Sequence, residues 1–493
     1  MVKRRRRRPA LTITGDGAGV ANHAGARLLA DLADAVGLSG ALSAAMAPTK
    51  QRRRGHDRGE VLTDLIVAIA DGAETISDLA TLRDQPELFG AVASHPTVWR
   101  TLAAVDEVVL ERIKTARAQA RAKAWAAGAD PGFYVIDIDA TLVGAHSDKE
   151  QAAPTWKRGF GFHPLLAYLD ATGEALAGVL RAGNAGSGTA TDHIDVLGDA
   201  LAQLPIDATA TEVIVRSESA GWSHGFVNEC RDRHVRFVIG HQLTVDIASV
   251  LVKLPKRAWS PAITADGSDW REHAEIAEIT HLVGDIFDAT RAWPSGLRMI
   301  ARRELPHPGA QLTFTDIDGH RYQVFVTDLA DTDVAYLEAL YRGRGRAERQ
   351  ICDTKATGLT NLPSHSFAIN HAWLQLVLSA HDLLAWTRLL ALAGTSLADA
   401  DPTRLRYCLL HTAARVGRTS RRTSCRLAAN WPWTPELVTA FDRVHRIRQP
   451  AEKHHRGPPA TAPASEPGQP KSPPQADLAR PQEGPDPATA TEP

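Results

Sequence analysis

The sequence predicts an α/β protein whose core follows a long helical segment and is interrupted by a β-rich insertion. Two changes of hydrophobic period support this fold class. Apolar residues recur at helical spacing over about residues 24–128, and the pattern then changes at "GFYVIDIDATLVGA" to that of a buried strand. Strands and helices alternate from there, which indicates an α/β core.

The N-terminal part divides into a basic arm and a helical domain. Residues 3–8 read KRRRRR, and we expect residues 1–22 to form a flexible basic arm. Residues 23–128 are predicted to be helical, because apolar residues recur at i, i+3 and i+4. The basic loops and the size of this segment suit a DNA-binding domain. The patterns are "ARLLADLADAVGL", "GEVLTDLIVAIADG", "TISDLATLR" and "DEVVLERIKTARAQARAKAW".

The first part of the core is predicted over residues 129–240. "YVIDIDAT" reads as a central strand that ends at Asp137 and Asp139, and "HPLLAYLD" and "ALAGVLRAG" read as two further strands. "TDHIDVLGDALAQL" predicts a helix capped by Thr191. "EVIVRSES" predicts another buried strand, which ends at Ser217 and Glu218.

The second half of the chain is predicted to leave the core and return to it. Residues 241–335 are mostly strand-like and indicate a β-rich insertion, and residues 336–395 return to helices that complete the core. Residues 396–448 are arginine-rich and are predicted to form basic C-terminal helices. Residues 449–493 are rich in proline and alanine, which is typical of a disordered tail.

Charge and cysteine usage narrow the class of protein. The formal net charge of −1 hides separate basic clusters at residues 3–8, 51–58 and 404–448. Each cluster alone is typical of a solvated surface, but several together favour a polyanion such as DNA. The four cysteines lack C-x-x-C spacing, which argues against a zinc site or a disulfide framework and favours a reducing cytoplasm. No apolar run reaches transmembrane length, so we expect no membrane partner.

The stretch "YRGRGRAERQICDTK" surrounds one glutamate with basic residues. At about 100° per residue, Arg344, Glu348 and Lys355 lie at about 300°, 340° and 320° from Tyr341, on one narrow helix face. Gly343 and Gly345 weaken the first turn, so Tyr341 is expected near or before the start of the helix. On spacing alone, a charged surface helix with an Arg344–Glu348 pair is favoured over a functional site.

Three acids occupy positions at which a metal site can form. Asp139 and Glu218 each follow a predicted core strand, and Glu348 lies on a helix. Carboxylates that converge in this way can hold two divalent cations that activate a water or a 3′-hydroxyl and stabilise the leaving oxygen of a phosphodiester. Magnesium takes oxygen ligands and retains waters, so few carboxylates suffice. Accidental triples of acids are common in a chain of this length.

The sequence resembles insertion-sequence transposases of the DDE type, in the insertion sequence thirteen-eighty group. The resemblance covers about residues 20–448 and includes "DIDATL", "GFHPLLAYLD", "LRAGNAGS", "RRELPHPGAQLTFTDIDGHRYQVFVTD" and "DTKATGLTNLP". The signature Y-(2)-R-(3)-E-(6)-K, shared with the related insertion-sequence-four group, is matched by Tyr341, Arg344, Glu348 and Lys355.

This resemblance implies a ribonuclease-H-like fold with the β-rich insertion between the second and third catalytic acids. Asp139 matches the first acid, with Asp137 as the alternative, and Glu348 matches the third. Arg344 and Lys355, with Tyr341, match positions that bind DNA near the cleaved end. The implied cofactor is Mg²⁺ or Mn²⁺, held by the three acids.

One position departs from the family pattern. Where the family has Arg-x-Asp-Ser, this chain has "VRSESAG", which puts Glu218 at the second acid. Glutamate keeps the charge but moves the carboxylate outward by about 1.5 Å. A misplacement near 1 Å can cost an active site about 10²-fold in rate. The enzyme is therefore expected to be weakened, inactive or adapted.

The implied function is that of a transposase that cuts at the terminal inverted repeats of its own element and joins them to target DNA. We expect a homodimer on double-stranded DNA in the bacterial cytoplasm, associated with the nucleoid. One alternative is a DNA-binding relic that lost its chemistry through Glu218. The other is a phosphatase of the haloacid-dehalogenase type, because "DIDAT" has the D-x-D-x-T form with Asp137 as nucleophile.

Aromatic and histidine residues near these motifs receive structural interpretations. Trp270 and Trp293 lie in the insertion, where related transposases stack an aromatic side chain on a flipped base, but core packing is the more common role of a tryptophan. Four histidines near the core motifs lack the i,i+4 spacing of zinc ligands and are expected to be structural or to contact phosphates. They are His146, His163, His224 and His241.

Overall fold

The computed structural model describes residues 11–50, 55–186, 189–287, 293–306, 309–311, 316–330, 332–419 and 422–448. The predicted disordered tail, residues 449–493, and the KRRRRR cluster lie outside these ranges. Among the described residues no single helix has the length and hydropathy to cross a membrane, although one pair of short helices, bent by 67°, passes the same test together.

The N-terminal part is helical, as predicted for residues 23–128. Asp57 caps the helix Arg58–Asp71 by accepting hydrogen bonds from the amides of Gly59 and Glu60. Gly72, with φ of 111°, ends it in a left-handed conformation. After strand β1 (Val20–Ala21), the helices are α1 (Arg27–Ala35), α2 (Leu38–Met46), α3 (Arg58–Asp71), α4 (Ala80–Arg83), α5 (Pro86–Phe89), α6 (His95–Leu102) and α7 (Glu107–Ala124).

The next part forms five core strands, a small separate sheet and two helices. Its elements are β2 (Tyr134–Ala140), β3 (Val143–Gly144), β4 (Ala153–Pro154), β5 (Phe160–Phe162), β6 (Leu165–Leu169), β7 (Ala175–Val179), α8 (Ala190–Gln203), β8 (Val213–Ser217), α9 (His224–Asp232) and β9 (Arg236–His241). The predicted strands and helix are all present, and α8 begins after Thr189, two residues before the predicted cap.

The topology of the core strands positions the site. They are ordered β7-β6-β2-β8-β9, and β6 runs antiparallel to both of its neighbours. Strands β2, β8 and β9 are parallel to one another. Parallel neighbours end at the same edge of a sheet, so residues that follow β2 and β8 meet there.

The β-rich insertion extends this sheet. Its elements are α10 (Val245–Lys253), β10 (Ser260–Ile263), β11 (Trp270–Glu278), β12 (Arg298–Glu304), β13 (Asp316–Ile317) and β14 (His320–Thr327). Strand β14 pairs with β9, and the other insertion strands follow antiparallel, so the five core strands and the five described insertion strands form one mixed ten-stranded sheet. The described residues of 241–335 are mainly strands, with helix α10 as an addition to the predicted pattern.

The remaining elements are α11 (Val334–Arg342), α12 (Gly345–Thr354), α13 (Phe367–Trp386), α14 (Pro402–Leu405), β15 (Ala414–Thr419), β16 (Arg422–Leu427) and α15 (Thr434–Arg448). The prediction of helices alone over residues 396–448 is wrong, because β15 and β16 form an antiparallel hairpin. Strand β1 adds to that hairpin, so Val20 and Ala21 are ordered and do not belong to a flexible arm. Backbone pairing, not apolar periodicity, forms these strands, and most of β16 is exposed.

One hydrophobic core joins the N-terminal helices, the sheet and the C-terminal helices. Buried residues from Leu28 to Val444 belong to a single cluster. Helix α13 is buried over most of its length and packs against α3 and β7. The predicted DNA-binding domain therefore shares its core with the rest of the molecule.

Candidate active site

Two predicted acids meet at the edge of the sheet where the parallel strands end. Asp139 is the penultimate residue of β2, and Glu218 follows β8 directly. The register that pairs Ile138 with Ser217 puts them side by side. The side chain of Asp139 is 13% exposed and that of Glu218 is 52% exposed. The two carboxylates therefore share one opening to solvent, with Asp139 at its floor.

Arg344 joins both carboxylates. Its Nη1 lies 2.9 Å from Oε1 of Glu218 and 3.6 Å from Oδ2 of Asp139. The shorter contact is an ion pair without the angles of a hydrogen bond. Burial lowers the pKa of Arg344, but Glu218 and the other acids outweigh it and raise the pKa above its usual value. The guanidinium thus lies as a cation between the two acids.

Glu348 approaches the two acids from helix α12, but among the described residues these three carboxylates do not all lie within 4.8 Å of one another. Glu348 is exposed, one turn beyond Arg344, and its charge acts on both Arg344 and Asp139. Burial, and then the charges of Glu218 and Glu348, raise the pKa of Asp139 to about 6, while Arg344 opposes the rise. Mutual repulsion of this kind is what a divalent cation relieves. Carboxylate oxygens are the ligands that Mg²⁺ and Mn²⁺ prefer.

Tyr341 and Lys355 lie at the two ends of this region. Tyr341 lies on α11, before the glycines that separate α11 from α12, and its ring stacks on Phe325 at 4.7 Å between centroids. Burial raises its pKa, and its hydroxyl lies so close to Gly240 that a Cβ there would approach to 2.5 Å. Lys355 follows α12 and is half-buried.

The four signature residues therefore do not share one continuous helix face. Tyr341 and Arg344 interact with each other and with Glu218. Burial lowers the pKa of Lys355, and the positive charge of Lys157 lowers it further. Lys355 therefore lies close enough to Lys157 for the two charges to repel each other.

Asp137, the alternative first acid, has a different environment. It is 1% exposed, and both of its oxygens accept hydrogen bonds from Arg216, at 2.7 and 2.6 Å. Arg216 also pairs with Asp170 at 3.0 Å, and Asp170 pairs with Arg346 of α12. This buried network fixes β2, β8 and α12 together. Asp137 therefore has no oxygen free to attack a phosphate.

Sequence reasoning missed Arg216 and Asp170. The signal for Arg216 was present, since an arginine in the apolar strand "EVIVRSES" needs a buried anionic partner. The identity of that partner is not contained in the local sequence, because Asp137 lies 79 residues away.

A cavity of about 610 Å³ opens beside the acids. Trp156, 70% exposed, and Trp222 contribute to its wall. Trp222 stacks on Trp293 at 4.1 Å, and His224 stacks on the other side of Trp293 at 3.7 Å. The interpretation of Trp293 as a packed residue is confirmed. For Trp270 it is wrong, since that side chain is 62% exposed.

The four histidines serve different contacts. His163 hydrogen-bonds the carbonyl of Ala185 and His241 that of Gln242, through Nδ1 in each case, and burial lowers the pKa of both. His224 takes part in the tryptophan stack. His146 lines a second cavity, of about 340 Å³.

Comparisons with known proteins give a family match and similarity to solved structures. A family model described as "Transposase DDE domain group 1" matches residues 3–449 of the chain. No curated protein matches the chain. Among solved structures, the cryo-EM structure of a piggyBac transposase synaptic complex with hairpin DNA is similar with a TM-score of 0.38 and 10% identity, over 78% of this chain and 80% of that chain.

Proposed function

Because the chain belongs to the group 1 family of DDE-domain transposases, we propose that it cuts DNA at the terminal inverted repeats of its own mobile element and joins those ends to target DNA. The observation that carries this proposal is the meeting of Asp139, Glu218 and Arg344 at the end of two parallel strands. We assign it further, from the quoted motifs, to the insertion sequence thirteen-eighty group.

We propose a ribonuclease-H-like core. In chain order the five core strands occupy positions 3-2-1-4-5, with the second antiparallel to the others, and β2 carries the first acid. The insertion follows the second acid and precedes the third, as the resemblance implies. The strand order and directions support the proposal independently of the site residues.

Asp139, Glu218 and Glu348 would hold Mg²⁺ or Mn²⁺. Such ions activate a water or 3′-hydroxyl and stabilise the leaving oxygen in phosphodiester transfer. The chain's own residues prepare the site, since Arg344 keeps two like charges together and the Asp137–Arg216 pair fixes the strands that carry them. In this proposal Tyr341, Arg344 and Lys355 bind the DNA end, and Lys157 extends the same surface.

The proposed partners follow from the reaction. The substrate is double-stranded DNA, both element ends and target, and two copies of the chain would act on a synapsed pair of ends. Such a protein would act on the bacterial nucleoid, in the cytoplasm. Exposed basic residues of α12 and of the β15–β16 hairpin supply phosphate contacts of the kind that DNA binding requires.

A DNA-binding relic is the second candidate, and Glu218 is the observation that favours it. Its longer side chain reaches out to Arg344 and is half exposed, which differs from the aspartate of the family pattern. The phosphatase alternative is not supported, because Asp137 is buried and held at both oxygens by Arg216.

Cleavage of the element's own ends tests the proposal. Full-length protein with Mg²⁺ is expected to nick or cut linear DNA that carries the gene's flanking repeats. Asp139→Ala and Glu348→Ala should abolish cleavage but leave binding of the same DNA within about twofold, because most phosphate contacts lie elsewhere. Asp232→Ala, an exposed acid on α9, is the matched control and should cleave like the wild type.

The outcomes separate the candidates. Binding without cleavage in the wild type, with Mg²⁺ and with Mn²⁺, would favour the relic. Robust hydrolysis of a small phosphate ester that is lost in Asp137→Asn would support the phosphatase instead. Cleavage that survives Asp139→Ala would refute the assignment of the site.

A further inference from the structure

Three residues far apart in the sequence form a second cluster of metal-binding side chains. They are His23 after β1, Asp71 at the end of α3, and His411 before β15. Each offers one ligand atom, and these three atoms all lie within 4.8 Å of one another. His23 Nδ1 lies 2.6 Å from Oδ2 of Asp71, and His411 Nε2 lies 3.5 Å from Oδ1. The proposed reaction uses none of these residues.

Asp71 is the centre of this cluster and is incompletely satisfied. Its side chain is 5% exposed, and in the described part of the chain no donor forms a hydrogen bond with Oδ1. A buried carboxylate oxygen without a donor is costly unless a cation or water reaches it. His411 Nε2 lies 2.9 Å from the main-chain carbonyl of Asp71 instead.

The position at a helix C-terminus adds to the preference for a cation. Asp71 is the last residue of α3, where unpaired carbonyls and the helix dipole present partial negative charge. Arg406 partly balances this negative charge, because it donates hydrogen bonds to the carbonyls of Ile69 and Ala70. Burial lowers the pKa of Arg406, and the charge of Asp71 opposes this shift. Within the described residues, Arg406 forms no hydrogen bond with the carboxylate of Asp71.

Each histidine of the cluster lines a cavity, while Asp71 lies buried between them. His23 lines a cavity of about 490 Å³ and His411 lines one of about 520 Å³. The imidazoles lie 4.0 Å apart between centroids, so little movement would bring their nitrogens around one ion. Ligand atoms bound at about 2.0–2.2 Å to one zinc ion lie at most about 4 Å apart.

We propose that His23, Asp71 and His411 bind a divalent transition metal of the zinc type, separate from the ions of the active site. Two imidazoles and one carboxylate suit Zn²⁺, Co²⁺ or Ni²⁺, whereas Mg²⁺ prefers oxygen ligands alone. The ion would fasten the N-terminal strand and the C-terminal hairpin to α3. The role of such an ion would be structural, because it would join three segments that are far apart in the sequence.

Zinc titration of the full-length, chelator-treated protein tests the site. The wild type should bind one more equivalent of Zn²⁺ than Asp71→Asn, and 100 Kd of ZnCl₂ should raise its Tm by about 2–5 °C. Asp71→Asn keeps the shape of the side chain but removes its charge. His23→Gln tests the same site through a different segment, and both variants should lose the extra equivalent and at least tenfold in affinity.

Two controls isolate the cluster. His445→Gln removes an imidazole that pairs with Asp31 elsewhere, and its zinc binding should equal that of the wild type. His454 and His455, which the sequence also contains, contribute equally to all proteins and cancel in the difference. Equal stoichiometry and equal Tm shifts in wild type, Asp71→Asn and His23→Gln would overturn the proposal, as would a Tm rise produced equally by MgCl₂. DNA cleavage need not be active for this test.

Discussion

At the scale of single residues, two aspartates on one strand have opposite environments. Asp137 is paired across strands with Arg216 in the register of β2 and β8, and it is fully enclosed. Asp139, two residues on, faces the cavity and shares Arg344 with Glu218. Sequence reasoning placed both at a strand end but could not rank them by exposure. The ranking depends on Arg216, which comes from another strand.

These environments predict opposite effects on stability. Asp137→Asn should cost about 3 kcal/mol in the free energy of unfolding, because it leaves the buried Arg216 with fewer anionic partners, and this loss outweighs the burial that raises the pKa of Asp137 to about 6 as well. Asp139→Asn should be neutral or stabilising by up to about 2 kcal/mol at pH 7, since its raised pKa means that the folded protein disfavours the ionised form. Chemical denaturation of both variants measures the difference.

The same pKa shift fixes the sign of the pH dependence. In the unfolded chain Asp139 titrates near 3.8, and in the folded protein near 6. Between these values the folded state binds more protons, so wild-type stability falls as pH rises from about 4 to about 6 and is level above. The advantage of Asp139→Asn should therefore vanish at pH 4. An advantage that persists there would contradict this explanation.

Glu218 allows a further prediction about activity. Glu218→Asp withdraws the carboxylate by about 1.5 Å from Arg344 and restores the arm that the family pattern has. We expect Mg²⁺-dependent cleavage of an element-end substrate to rise by up to about 10²-fold. Asp139→Glu, the opposite change at the neighbouring acid, should lower it. Equal or lower cleavage by Glu218→Asp would mean that the site has adapted to glutamate.

At the scale of secondary-structure elements, the helical and strand patterns were predicted where apolar residues line one face. The core strands and α13 were found in this way. The hairpin of β15 and β16 was not, because its residues are arginine, threonine and serine with little burial to mark a period. The helix-face argument for Tyr341 to Lys355 assumed one helix, whereas α11 ends at Arg342 and α12 begins at Gly345.

Gly343 and Gly345, at the junction of α11 and α12, are predicted to differ in their tolerance of alanine. A Cβ on Gly343 would collide with Arg216 Nη1 and lie 2.8 Å from Arg346 Nη2, so Gly343→Ala disturbs the Arg216–Asp137 pair. We expect it to cost about 2 kcal/mol, in the range for overpacked buried sites. A Cβ on Gly345 meets no atom within 4 Å, and Gly345→Ala should be neutral or stabilising by about 0.5 kcal/mol through helix propensity. Similar Tm values for both variants would show that Gly343 is not confined.

At the scale of the whole molecule, buried charges bind the N-terminal helices to the core. Arg117 and Arg121 of α7 both donate to Oδ2 of Asp382 on α13, at 2.9 and 2.7 Å. Arg121 also pairs with Glu174, which precedes β7, and all four side chains are at most 1% exposed. Nothing in the local sequence distinguishes these arginines from solvated ones on a basic helix. For this reason the sequence could not show that the predicted N-terminal domain is part of the common core.

This network predicts that the molecule unfolds as one unit. Asp382→Asn should cost about 3–5 kcal/mol, because two enclosed guanidinium groups lose their shared counter-charge while the amide of Ala175 keeps an acceptor. Glu229→Gln, which removes an i,i+4 partner of Arg233 on the surface, should cost no more than about 0.5 kcal/mol. Denaturant unfolding followed by tryptophan fluorescence and by circular dichroism should shift together in Asp382→Asn. If only part of the signal shifted, the helices of residues 23–128 would be unfolding independently of the sheet.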